Sequence, residues 1–148
     1  MSNNMTHTPT SISEIGAIFV AVADQERALE FYRDTLGFEL RADFTYGGGI
    51  RWIEVAPPGA GNSIALVGPA EGGPAGGERT YCAFATDDIE ADHASLRARG
   101  VDVDDEIATA GRSRPGLLST DATVPDPVPA QFLFRDPDGN RFLVVQPG

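Results

Sequence analysis

Hydrophobic and polar positions along the chain change period in a fixed order, and they do so twice. The stretch FVAVADQERALEFYRDTLGFEL, from Phe19, opens as an apolar run and breaks at Asp24. Apolar residues then recur at helical spacing (Ala28, Phe31, Tyr32, Leu36) until Gly37, after which a strand pattern resumes. The stretch CAFATDDIEADHASLRARGVDV, from Cys82, repeats this with Ile89, His93 and Leu96 as its stripe and Gly100 as its stop. Asp24 and Asp87 lie 63 positions apart, and so do Gly37 and Gly100. An Asp side chain can accept from the free N–H groups that open a helix, and Asp87 with Glu90 has the spacing of a capping box. Gly suits the left-handed residue that closes one. Two helices of about thirteen residues follow, near the usual globular length.

Three strand-like runs come after each helix. They are ELRADFTY, IRWIEVA and SIALV in the first half, and VDVDDEIAT, PAQFLFR and NRFLVVQ in the second. GGG at 47–49 and PPGAGN at 57–62 join the first set, and DPDG joins the last pair. Asp-Pro-Asp-Gly is a strong turn, because Pro presets one dihedral and Gly supplies a positive one. The predicted fold class is α+β: two βαβββ modules, 12–67 and 79–148, whose sheets lie side by side as one curled mixed sheet with a concave cleft. The Gly/Pro-rich segment 68–78 reads as the linker between them. Residues 1–11 are polar and read as a disordered tail. The long loop 111–129 has three glycines as its counterpart in the first half. Leu117 and Leu118 point to a lid or a dimer contact, with simple disorder as the alternative.

Composition narrows the partners. A chain of 148 residues buries roughly 68–70% of its unfolded surface, enough for a core without staples. Eleven basic against 22 acidic residues leave a net charge of −11, which argues against nucleic acid and anionic membranes and is compatible with a cationic ligand. Cys82 is the only cysteine, so no internal disulfide can form. Within YCAFA it reads as a small buried hydrophobe. With no leader-like or membrane-length apolar run, a cytoplasmic location is expected. Only two histidines occur, one in the polar tail and one, His93, on the helix face turned to the sheet, so a histidine-rich metal site has little to draw on.

The stretches VADQERALEFYRDTLGFEL, DDIEADHASLRARGV and FRDPDGNRFLVVQ resemble the vicinal oxygen chelate superfamily, the group of glyoxalase I, bleomycin-resistance proteins, fosfomycin-resistance enzymes and extradiol dioxygenases. The resemblance covers nearly the whole chain after Ser11. It implies paired βαβββ modules around a cleft that, in metal-using members, holds an ion through the first and last strand of each module. Carried over residue by residue, those positions are Ala17, Ala65, Tyr81 (Thr80 if the register slips by one) and Leu143. None of the first choices binds a divalent ion as His or Glu would, so no metal and no cofactor are expected. An all-oxygen site for magnesium or manganese is the alternative.

Strand alternation sorts the cleft lining. With Ala17 on that face go Phe19 and Ala21; with Leu143 go Arg141 and Val145; Trp52 and Glu54 point in from IRWIEVA, and Tyr81, Ala83 and Ala85 from the other module. The candidate ligand-binding residues are therefore Phe19, Trp52, Glu54, Tyr81, Arg141 and Leu143, an apolar and aromatic wall with few polar groups. Each has a plainer alternative: Trp52 as core, Glu54 as a solvated carboxylate, Arg141 as a partner of Asp136 or Asp138. Three functions are in play. The first is a metal-free protein that holds a small organic molecule, aromatic or cationic, between the two subunits of a homodimer. The second is a glyoxalase-like lyase, isomerase or dioxygenase with an atypical or absent metal site, with Glu54 or Tyr81 as catalytic candidates. The third is an interaction module without a small ligand.

Overall fold

The computed structural model describes residues 8, 10–77, 79–109 and 129–147. Most of the 1–11 tail and, apart from Pro129, the 111–129 loop lie outside them.

The elements run β1 (Ala17–Ala21), α1 (Gln25–Glu30), β2 (Glu39–Tyr46), β3 (Ile50–Ala56), β4 (Ser63–Val67), α2 (Pro69–Gly72), β5 (Thr80–Ala85), α3 (Ile89–Ala98), β6 (Asp102–Val103), β7 (Ala130–Arg135) and β8 (Arg141–Gln146). The βαβββ order thus occurs twice. The strands form two four-stranded mixed sheets, β1-β4-β3-β2 and β5-β8-β7-β6, each built from one module. In each, the first strand runs parallel to the last and the remaining pairs are antiparallel.

Asp24 caps α1 as its side chain predicts, accepting from the N–H groups of Glu26 and Arg27. The cap of α3 is Asp88, one residue beyond the expected Asp87, and it accepts from Ala91 N. Gly37 and Gly100 both have positive φ, at 82° and 79°. Thirteen positions therefore separate cap and glycine in the first module and twelve in the second. The extra residue is taken up by a π-helical turn, Phe31–Thr35, that continues α1, with Leu36 N donating to Phe31 O at 3.0 Å.

The helix-side faces of both sheets share one core. Val20, Leu29, Tyr32, Ile53 and Leu66 from the first module pack with Ile89, Phe132, Phe134 and Phe142 from the second. Aromatic edges cross the boundary: Tyr32 meets Phe142 at 6.1 Å and Phe38 meets Phe84 at 5.4 Å between ring centroids. His93 belongs to this packing. Its ring stands edge-on to Phe132, and Nε2 is 2.7 Å from the Asp104 carbonyl oxygen.

The DPDGN turn docks the modules. Asn140 Nδ2 donates to Ala21 O at 2.9 Å, and Asn140 Oδ1 accepts from Gly76 N at 2.9 Å. Arg27 reaches Asp138 at 3.3 Å. The plainer alternative for Arg141, a pairing with Asp136 or Asp138, is not what forms: Asp138 pairs with Arg27, and Asp136 accepts from Tyr32.

Candidate functional site

Alternation along β1 turns Val20 into the core and leaves Phe19 48% exposed on the opposite face. That face gathers side chains from four strands through their register. Phe19 stands beside Ala65, Ala65 beside Glu54, Glu54 beside Ala42, and Trp52 beside Phe44. The ring of Trp52 takes Phe19 edge-on at 5.4 Å and Tyr46 at 6.4 Å, and Tyr46 in turn meets Phe44 at 6.2 Å. Phe44 is 53% and Tyr46 41% exposed. Four aromatic side chains thus form a connected, open surface over small residues, Ala17, Ala42 and Ala65. Phe44 and Tyr46 escaped the sequence reading. The signal was present: they alternate along ELRADFTY, and once the hairpin register is known Phe44 falls opposite Trp52 and Tyr46 opposite Ile50, diagonal to it.

Glu54 sits at the polar centre of this face. Trp52 Nε1 donates to its Oε2 at 2.6 Å, and Ser63 Oγ donates to its Oε1 at 2.6 Å. The first bond joins residues two apart on one strand, and the second crosses to β4. Both fix the carboxylate and, through it, the indole plane. A carboxylate has about four acceptor positions, so Glu54 keeps capacity for a ligand N–H or O–H. One end of the face is closed by α2. A Cβ on Gly72 would lie 2.7 Å from Val67 Cγ2 and 2.9 Å from the Ala21 Cβ, so Ala21, though on this face, is covered.

On the second sheet the expected facing of Tyr81 is corrected. The β5–β8 register shifts between Thr80, which pairs with Arg141, and Ala83, which pairs with Leu143. The extra residue leaves both Tyr81 and Cys82 packed against the core, the Tyr81 ring 5.9 Å from Phe142 with Arg79 5.4 Å above it. Thr80 takes the place beside Arg141. Ala83 and Ala85 are exposed on the Leu143 face, although Leu143 itself is buried. Burial pushes the Cys82 thiol up to about 11, away from nucleophilic use.

Phe19, Trp52 and Glu54 are therefore brought together. Arg141 and Leu143 lie on the other sheet, and Tyr81 leaves the face. Of the positions carried over from the resemblance, Ala17, Ala65 and Leu143 bear no side-chain donor atom, Tyr81 packs against the core, and its alternative Thr80 offers one hydroxyl, so these residues do not fit a resident divalent ion. Among the described residues no three His, Cys, Asp or Glu side chains cluster as ligands.

A separate depression of about 290 Å³ opens between the modules on the helix side, over Leu36, Phe38, Phe84 and Leu96. Its charged groups are already engaged: Asp92 accepts from Thr86, and Arg99 donates to the Thr35 carbonyl. The aromatic face is the better candidate.

Comparison with known proteins agrees with the architecture. TnmS3, an antibiotic binding protein from Streptomyces sp. CB03234, is 36% identical, with a TM-score of 0.71 over 95% of this chain and 100% of that one. A glyoxalase/bleomycin resistance protein from the same organism is 39% identical, with a TM-score of 0.66 over 89% and 100%. A superfamily member from Sphaerobacter thermophilus DSM 20745 is 30% identical, with a TM-score of 0.75 over 93% and 99%. The family model described as Glyoxalase/Bleomycin resistance protein/Dioxygenase superfamily matches residues 14–144, and the chain belongs to that superfamily.

Proposed function

We propose that this protein is a metal-free binder of a planar organic molecule, which it holds against the Phe19–Trp52–Tyr46–Phe44 surface. The observation that carries the reading is that surface itself: rings in mutual contact, three of them well exposed, around a carboxylate already held in place. Aromatic rings present large contact area with few rotors to freeze, so stacking a flat ligand there costs little ordering entropy. The likeness to an antibiotic binding protein at 36% identity favours the same class of ligand. Because the face is open rather than enclosed, we place a second copy of the chain over it, the two forming a homodimer with ligand between them. The setting proposed is the cytoplasm, where the lone Cys82 stays reduced. No helix among the described residues is long and apolar enough to cross a membrane.

Trp52 is the only tryptophan, so its fluorescence reads this face directly. Saturable quenching by at least one member of a panel of planar polycyclic aromatics is expected, with the affinity of Phe19→Ala lowered about tenfold. Zn²⁺, Mn²⁺, Ni²⁺ and Fe²⁺ should neither bind stoichiometrically nor raise Tm. A panel without any quencher, or one tightly held ion, would sink the proposal.

A further inference from the structure

Among the described residues Arg141 is a charge without an answer. Of the nine described arginines, six face a carboxylate at 3.7 Å or less. Arg99 donates to a backbone carbonyl, and Arg79 lies over the Tyr81 ring. Arg141 does none of these, and its Nε is shut away from solvent with no hydrogen-bond partner. Its register neighbour on β5 is Thr80, whose Oγ1 is enclosed and unpartnered in the same way. These are the two buried side-chain polar atoms that the described residues leave unsatisfied. They stand side by side.

The charges around the pair sharpen the point. Across the antiparallel ladder Arg141 faces Arg135, which is answered by Asp102 at 3.7 Å and Asp104 at 3.6 Å. Thr80, Arg141 and Arg135 thus form a row over three strands, on the face that also bears Ala83 and Leu143. One of its two guanidinium groups has counter-charges and the other has none. A buried donor with no acceptor has given up its water and received nothing in return, so such groups call for a partner. A guanidinium beside a hydroxyl matches an oxyanion: one oxygen takes an Arg N–H and the other the Thr O–H, in the planar geometry arginine favours.

We propose that Thr80 and Arg141 form an oxyanion-recognition point, and that the aromatic ligand of this protein carries an anionic oxygen such as a carboxylate. The inference rests on the small-molecule-binding reading above and names the ligand's chemical class. It reverses the cationic ligand that the net charge of −11 favours. Overall charge shapes the field at a distance and is screened beyond about 8–10 Å, whereas contact chemistry is set by the nearest side chains. The β5 register shift matters here, because it is what seats a small hydroxyl rather than a phenol ring beside the guanidinium.

The test is calorimetric titration of the full chain with 2-naphthoate and its neutral isostere 2-naphthamide, for wild type, Arg141→Gln and Thr80→Val. The wild type should bind the acid at least about tenfold more tightly than the amide, the discrimination a charge-assisted hydrogen bond supplies. Arg141→Gln should abolish that preference, and Thr80→Val should reduce it about three- to fivefold. Equal affinity of the wild type for acid and amide overturns the oxyanion point and leaves aromatic binding standing. So does a preference that survives in both variants. Binding of neither probe, together with unquenched Trp52, overturns both readings. The wild-type comparison needs no variant, and Thr80→Val remains informative if Arg141→Gln does not fold.

Discussion

The Tyr32 hydroxyl donates to Asp136 Oδ2 at 2.7 Å, across 104 positions of sequence and the boundary between the modules. Asp136 is 5% exposed, yet both of its oxygens are fully used. Oδ2 also accepts from Asn140 Nδ2, and Oδ1 accepts from the N–H groups of Asp138 and Asn140. Four donors saturate the carboxylate, which is the condition under which a buried charge is tolerated. The tyrosine of FYRDTLGF and the aspartate of DPDGN therefore act as a clasp between modules, away from the ligand face.

Tyr32→Phe keeps the ring packed against Phe142 and removes one donor to the carboxylate. The expected loss is about 1–3 kcal/mol, that of a hydrogen bond to a charged group, seen as a lower urea midpoint. Burial first, and then the Asp136 charge, hold the Tyr32 hydroxyl well above its ordinary value of 10.0. The unfolded chain releases this proton near pH 10 and the folded one only at higher pH. The contribution is therefore whole below pH 10 and disappears as pH rises through the folded value. Wild type should lose stability over that range, and Tyr32→Phe should lack this part of the decline.

Gly76 marks the closest approach in the same clasp. Its φ is 82°, and a Cβ there would lie 2.5 Å from the Asp138 carbonyl oxygen. Gly76→Ala should cost about 1–3 kcal/mol, from a strained φ together with displacement of the turn. Gly61→Ala, with open space and no positive φ, is the control and should change stability by less than about 1 kcal/mol. Chemical denaturation of both variants decides the matter; equal midpoints would show that the turn docks loosely.

Glu54→Ala removes the acceptor of two donors at once, Trp52 Nε1 and Ser63 Oγ. A loss of about 1–3 kcal/mol is expected, with a change in Trp52 emission as the indole is released. Glu54→Gln retains one acceptor oxygen and should lose about half as much. Unchanged emission in Glu54→Ala would mean that the indole is held by Phe19 and Tyr46 alone.

Cys82, with its thiol raised to about 11 from the usual 9.0 by burial, should resist alkylation in the folded protein at pH 8. Iodoacetamide labelling followed by mass spectrometry should show modification only after denaturation. Rapid native labelling would place the residue nearer the surface than its packing against the core indicates.

Local signals were enough to read the repeated βαβββ order. β2, β3 and β4 coincide with the runs ELRADFTY, IRWIEVA and SIALV, because hydrophobic alternation and Gly/Pro punctuation are encoded within a few residues. The same alternation placed Phe19, Trp52 and Glu54 on one face, since side-chain direction along an unbroken strand has a period of two. It failed at Tyr81, where one extra residue in β5 turns the ring into the core. A bulge is set by pairing with β8, some 60 residues away, and leaves no mark in the strand itself. The cap at Asp88 and the π turn after α1 escaped for a related reason: a one-residue difference between two otherwise matching helices shows only when their ends are fixed by packing.

What the chain alone determined is the kind and order of its elements and the two faces of its straight strands, because those depend on neighbouring residues. What tertiary structure decided is how the modules clasp through Tyr32, Asp136 and Asn140, and which side chains stand together. It brought Phe44 and Tyr46 to Trp52, and Thr80 to Arg141. Such pairings are set by register and docking between distant segments, and no short-range pattern carries them.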